Sequence, residues 1–219
     1  EIKEKISKLE NSFGTGNVIK NGIPVSIIGE TNAGKSTLLN FLLKEDKAIV
    51  SDIHGTTRDV VEDTITINGL LFRFIDTAGL RETTDVIENM GIERSFKEME
   101  KASVVLWVVD ASQPLENMKK IASQIEPRLV DQKCVIVFNK MDLIDEEKRR
   151  ELSEYAKGFT DNQIFISAKN ELNTEKLEEL LVEASQVPEV GENDVMVTNL
   201  RHYEALKNAR IAIERVEEG

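Results

Sequence analysis

A chain of 219 residues, 40% apolar and 31% charged with 12 Gly and 4 Pro, has the profile of a globular protein with one full domain plus something smaller. Its net charge of −12, with 10 basic and 19 acidic side chains in residues 141–219, excludes a broad cationic footprint for nucleic acid. The longest apolar run, Val104–Val109, is far short of the ~20 residues of a membrane helix, and the single cysteine, Cys134, excludes an internal disulfide and a Cys-based zinc site.

The chain begins Glu1-Ile2-Lys3 without an apolar signal segment, so the expectation is a cytoplasmic protein with no membrane role, trimmed from a longer chain. Ile2, Ile6, Leu9 and Phe13 form one apolar stripe at spacings of 4, 3 and 4, which predicts a short helix ended by Gly14-Thr15-Gly16. From residue 23 apolar β-rich runs alternate with helical stretches. The predicted strands are Val25–Ile28, Thr64–Ile67, Leu70–Ile75, Val104–Asp110, Cys134–Phe138 and Gln163–Ile166. Asn68-Gly69 between the second and third is a hairpin signal, so those two strands are expected to be antiparallel. Helices are expected over 35–44, 89–101, 115–126, 145–157 and 174–186, which makes the other strands parallel and covers the sheet on both faces. A last helix is expected within 194–219, with Leu200, Tyr203, Leu206, Ala209, Ile213 and Val216 on one side and Thr198 or Asn199 as its cap. The expected organisation is therefore a helical segment over 1–22, a three-layer α/β domain over 23–187 with one antiparallel edge, and a second helical segment over 188–219.

Gly29-Glu30-Thr31-Asn32-Ala33-Gly34-Lys35-Ser36, followed by Thr37, fits G-x-x-x-x-G-K-[ST] between a strand and a helix. Glycines let backbone N–H groups wrap phosphates at a helix N-terminus, Lys35 meets the β- and γ-phosphates, and Ser36 reaches Mg²⁺. With no phosphate in the loop, the Lys35 side chain is expected to be exposed. Asp76-Thr77-Ala78-Gly79 ends the third strand, where a carboxylate holds Mg²⁺ through water and Gly79 admits a γ-phosphate. Asn139-Lys140-Met141-Asp142 ends the fifth. An aspartate there accepts the N1 and N2 donors of guanine, whereas adenine would leave it unpaired. Ser167-Ala168-Lys169 ends the sixth strand, where a backbone N–H can read the guanine oxygen. All four motifs fall at the carboxyl ends of strands, where open α/β sheets bind ligands. The set specifies a guanine nucleotide, GTP or GDP, and disfavours an ATP-dependent kinase.

These motifs, in this order, resemble the P-loop (Ras-like) GTPases related to translation factors. More narrowly, Ala48–Asp59, Asp76–Thr83 through Gly91-Ile92-Glu93-Arg94, and Thr198–Leu206 resemble the MnmE (TrmE) family of tRNA-modification GTPases, in which a helical domain carries the G domain as an insertion. Thr31, Ser51 and His54 stand where that family commonly has Pro, Thr and Ala. The residue after D-T-A-G is Leu80, which cannot orient water as a Ras-type glutamine does. Asn32 offers an amide oxygen for a monovalent cation beside the phosphates. The resemblance implies that this ion is K⁺, held by Asn32 with Ser51, Ile53 and Thr56, that Thr57 binds Mg²⁺, that Ser51-Asp52-Ile53-His54-Gly55-Thr56-Thr57 binds the nucleotide, and that Ser51–Asp59 is disordered with GDP and ordered when two G domains pair. It also implies that Glu88 positions the attacking water and acts in catalysis with Lys35; Glu82 and Glu93 are nearby alternatives. Arg58 and Arg81 read as solvated loop arginines, with an arginine finger as the alternative, and His54 and His202 read as surface residues. The implied partners are a GTP-dependent homodimer of G domains, the family partner MnmG (GidA), and tRNA through the full-length complex. The other hypothesis is a non-catalytic guanine-nucleotide switch that recruits RNA or ribosome-assembly partners, of the Era or Der type.

Overall fold

In the computed structural model, residues 20–46, 63–75, 99–187 and 200–217 are described, together with residues 6, 9, 16 and 18. Ile23–Ser185 forms one compact unit, and Glu1–Gly22 with Gln186–Gly219 forms another.

The larger unit holds a six-stranded sheet: β1 (Ile23–Ile28), β2 (Asp63–Ile67), β3 (Leu70–Phe74), β4 (Val104–Asp110), β5 (Lys133–Asn139) and β6 (Gln163–Phe165), in spatial order β2-β3-β1-β4-β5-β6. Only β2 and β3 are antiparallel. They are joined through Asn68 (φ 49°) and Gly69 (φ 79°), the two left-handed residues that a tight hairpin turn requires. On the edge strand β2, Ile65 and Ile67 are buried while Thr64 and Thr66 are exposed, as one solvated face demands. The seven residues of β4 are all buried, and Trp107 is core.

Helices α1 (Lys35–Asp46), α2 (Leu115–Ile125), α3 (Glu146–Ala156) and α4 (Thr174–Ser185) alternate with the parallel strands. α2 buries Leu115, Met118, Ala122 and Ile125, one stripe at helical spacing. It ends one residue before the expected boundary, because Pro127 breaks the hydrogen-bond ladder and the chain tightens into a 3₁₀ turn over Glu126–Arg128. α3 starts after Asp145, whose carboxylate accepts the Lys148 N–H at 2.8 Å. β6 stops at Phe165 although Ile166 N–H still donates to the Phe138 carbonyl at 2.8 Å; the chain then turns back on itself at Ser167. Of the helix expected over 89–101, residues 89–98 lie outside the described residues.

In the smaller unit, α5 (Leu200–Glu217) presents half-buried Tyr203, Leu206, Ala209 and Ile213 on one side and exposed Arg201, Glu204 and Lys207 on the other; His202 is exposed as well. The Thr198 and Asn199 caps and most of the expected first helix lie outside the described residues.

Candidate nucleotide site

The phosphate loop leaves β1 at Gly29, where a Cβ would stand 2.1 Å from the Val108 carbonyl oxygen of β4, so only glycine fits. Asn32 (φ 62°) and Gly34 (φ 96°) take left-handed conformations, and Ala33 between them is fully buried. The loop feeds directly into α1, whose first residue is Lys35, so the positive end of a helix dipole adjoins the loop. Ser36 is half-buried and Thr37 exposed in that turn.

Lys35 corrects the expectation of an exposed side chain. Its Nζ donates to the carbonyls of Gly29 (2.8 Å) and Glu30 (2.6 Å), and the side chain is half-buried. Burial pulls its pKa below the ordinary lysine value, and the Glu30 carboxylate works against that shift. An ammonium held by two carbonyls inside a loop at a helix N-terminus is suited to an anion, which would bind it in competition with those carbonyls. The phosphate chain of a nucleotide fits this cradle.

The base end of the site is built on β5. Asn139 is buried at its end, and its amide joins two loops: Nδ2 donates to the Ala33 carbonyl at 2.9 Å, and Oδ1 accepts the Ala168 N–H at 3.0 Å. The next residue, Lys140, is left-handed (φ 64°). It reaches back to Asp110 at the end of β4, with Nζ 2.6 Å from Oδ2. Asp110 also accepts the Ser112 N–H (3.0 Å) and hydroxyl (2.6 Å) on Oδ1. Burial alone would raise the Asp110 pKa, but the bonds from Lys140 and Ser112 outweigh it and hold the carboxyl below its usual range.

Asp142 is exposed. Its carboxyl is held low first by the nearby Ser167 hydroxyl, then by its own backbone N–H, Asn170 and Lys169. The Ser167 contact falls short of full hydrogen-bond geometry, and Ser167 Oγ stays buried without a hydrogen-bond partner. A buried hydroxyl and an exposed ionised carboxylate thus sit side by side at the mouth of the site, a pairing suited to a donor-bearing base edge. Ala168 is buried and Lys169 exposed in the same loop.

The first, third and fourth motifs are therefore brought to one rim of the sheet. Asp76, Thr77, Ala78 and Gly79 of the second lie outside the described residues, as do Ser51, Asp52, Ile53, His54, Gly55, Thr56, Thr57 and Glu88. Among the described residues no group of three His, Cys, Asp or Glu side chains is placed to hold a metal ion. A divalent ion at this loop would rest on Ser36 and the phosphates themselves, with further ligands from the other segments. Sequence reasoning missed Asp110; the available signal was a lone carboxylate closing an apolar strand on the rim that carries the motifs.

Residues 24–140 match the family model described as 50S ribosome-binding GTPase. The chain belongs to this GTPase family. Its whole length is similar to proteins named tRNA modification GTPase MnmE, with 56% identity to that of Bacteroides thetaiotaomicron, 54% to that of Phocaeicola vulgatus and 42% to that of Flavobacterium johnsoniae. The chain covers 48%, 44% and 47% of those proteins, so it spans about half the length of the curated relatives it matches. Among solved structures it is similar to Era in complex with MgGDPNP and a stretch of 16S ribosomal RNA (TM-score 0.55, 29% identity, 84% of this chain and 64% of that one). The bacterial selenocysteine-specific elongation factor EF-Sec shares the fold (TM-score 0.54, 18% identity, 76% of this chain and 29% of that one). The domain is thus a GTPase domain with the P-loop GTPase fold, a family trait that entails GTP or GDP and Mg²⁺. Among the described residues no helix is long and apolar enough to cross a membrane.

Proposed function

We propose that this chain is the GTP-hydrolysing part of a longer cytoplasmic tRNA-modification protein of the MnmE kind, Mg²⁺-dependent and stimulated by K⁺. The observation that carries the proposal is the Asn139 amide, which ties the phosphate loop to the S-A-K loop so that Lys35 and Asp142 serve the two ends of one ligand. Identity over the whole chain to MnmE proteins, 56% against 29% for Era, favours this over a ribosome-assembly switch.

In this mechanism Asn32, Ala33, Gly34, Lys35, Ser36 and Thr37 bind the phosphates, and Asp142 with the Ser167–Lys169 loop reads the base. Asn139 and Lys140 hold those loops in register. Mg²⁺ would be held by Ser36 with Thr57 and Asp76, and supplies charge neutralisation on the β- and γ-phosphate oxygens. K⁺ would be held by Asn32, Ser51, Ile53 and Thr56, and offsets charge developing between those phosphates. Glu88 orients the attacking water, since Leu80 has no polar group to do so. Ser51–Thr57 contribute to nucleotide binding, and two G domains pair across their switch regions when GTP and K⁺ are bound. MnmG and tRNA engage the full-length protein.

GTP turnover measured in KCl and in NaCl, with Mg²⁺ or with EDTA, tests the proposal. Turnover that needs Mg²⁺ and rises only in KCl is expected, with the rise lost in Asn32→Ala. Equal, negligible rates in both salts would replace the enzyme with a nucleotide switch. Asp142→Asn should move base preference toward xanthine, which presents an acceptor where guanine has its amino group; unchanged GDP affinity would sink the Asp142 assignment.

A further inference from the structure

We infer that Asn173 is a positioning residue for base selectivity: it clamps the S-A-K loop to the N-K-M-D turn and so sets where Asp142 stands. This rests on the guanine site proposed above. The loop from Ser167 to Leu172 is closed by two reciprocal backbone bonds, Ser167 N–H to the Leu172 carbonyl (3.2 Å) and Leu172 N–H to the Ser167 carbonyl (3.1 Å). It is a preformed unit whose placement depends on its anchors. One anchor is Asn139, through the Ala168 N–H. The other is Asn173. Its Nδ2 donates to the Phe165 carbonyl at 2.9 Å, on the strand that leads into the loop, and to Met141 Sδ at 3.5 Å, on the turn that carries Asp142.

The backbone at Asn173 points the same way. Its φ of 60° lies in the left-handed region, which glycine adopts without cost and other residues adopt at a penalty. Glycine would satisfy that conformation but has no amide to donate. An asparagine here accepts the backbone cost and gains two side-chain donors, both directed at elements of the base site. Met141 precedes Asp142 directly, and its own N–H donates to the Ile166 carbonyl at 3.0 Å. The spacing between the Asp142 carboxylate and the Ser167–Ala168 segment therefore follows from contacts that Asn173 completes. Asn173 need not touch nucleotide to do this.

Asn173→Gly tests it, because glycine keeps the backbone conformation and removes only the amide. The readout is the ratio of inosine diphosphate to GDP dissociation constants, since inosine lacks the 2-amino group that Asp142 accepts. A role in stability alone would shift both nucleotides together and leave the ratio unchanged. The ratio is expected to fall about fivefold, mostly through weaker GDP binding. An unchanged ratio in a folded variant overturns the inference. Should Asn173→Gly fail to fold by circular dichroism, Met141→Leu decides: it conserves volume and removes only the sulfur acceptor between the loops. A ratio lowered about twofold supports the clamp, and an unchanged ratio removes it. A wild-type chain indifferent to GDP over inosine diphosphate would instead overturn the guanine site itself, and this inference with it.

Discussion

Asn139 and Ala33, 106 residues apart in the chain, are joined by a hydrogen bond of 2.9 Å from the Asn139 amide to the Ala33 carbonyl, with both residues buried. The end of the fifth strand and the phosphate loop are mechanically one piece. Asn139→Ala would leave the Ala33 carbonyl and the Ala168 N–H without that partner, so a stability loss of about 2–4 kcal/mol is expected in urea denaturation. Nucleotide binding should weaken whatever the base, because the phosphate loop loses its tie. A variant with wild-type stability and affinity would contradict the coupling.

Gly34 is the second point of close approach. A Cβ there would lie 2.1 Å from Asn139 Nδ2, at φ 96°. Gly34→Ala should therefore displace the Asn139 amide and abolish binding of a fluorescent GDP, with stability falling by about 1–3 kcal/mol. Gly69→Ala is the control. Its φ of 79° carries a backbone cost, but no atom stands within 4 Å, so it should cost about 1 kcal/mol and leave binding intact. Similar binding by both variants would show that the Gly34 contact is dispensable.

Asp110 and Lys140 form a pair whose contribution depends on pH. The Asp110 carboxyl is depressed in the folded protein, so its stabilisation is fully present above the unfolded aspartate value of ~3.9 and is lost as pH falls through the lower, folded value. Asp110→Asn removes the charge facing Lys140 and should be less stable than wild type by about 1–2 kcal/mol at pH 7. That gap should begin to narrow as pH falls below ~4 and close only below the depressed folded value, where the wild-type carboxyl is neutral in the folded protein as well. Urea midpoints for both proteins across this range give the test; a gap independent of pH would mean that packing, not charge, is what the substitution removes.

Cys134 lies in β5 at 7% exposure, and burial lifts its thiol pKa to about 12. The thiolate is the reactive form, so the folded protein should be inert to a disulfide reagent at pH 8 and titrate one thiol once unfolded in guanidinium. Rapid reaction in the native state would place the residue nearer the surface than β5 allows.

The alternation of apolar runs, the Asn68-Gly69 hairpin and the spacing of G-x-x-x-x-G-K-S, N-K-x-D and S-A-K were legible in the sequence because each is a local pattern with a local cause: pleat, turn chemistry, or a backbone that must approach a phosphate. That is why Leu115, Met118, Ala122 and Ile125 fall on one buried face as their spacing required. The motifs name which side chains belong to a guanine-nucleotide site. They do not say what holds those side chains in place. Asn139 was readable as a motif member, but its hydrogen bonds to Ala33 and Ala168 depend on three strand ends meeting at one rim. Lys35 was expected to stand free, yet the curvature of its loop aims the Gly29 and Glu30 carbonyls at the ammonium. Asp110 belongs to no motif; it matters because β4 and β5 run parallel in a register that sets Asp110 opposite Asn139, one residue before Lys140. Asn173 looks like an ordinary residue before a helix until the fold sets it beside Phe165 and Met141. Strand period and turn chemistry act between neighbours in the chain and can be read along it, whereas these anchors act between residues up to 106 positions apart and exist only once the sheet has assembled.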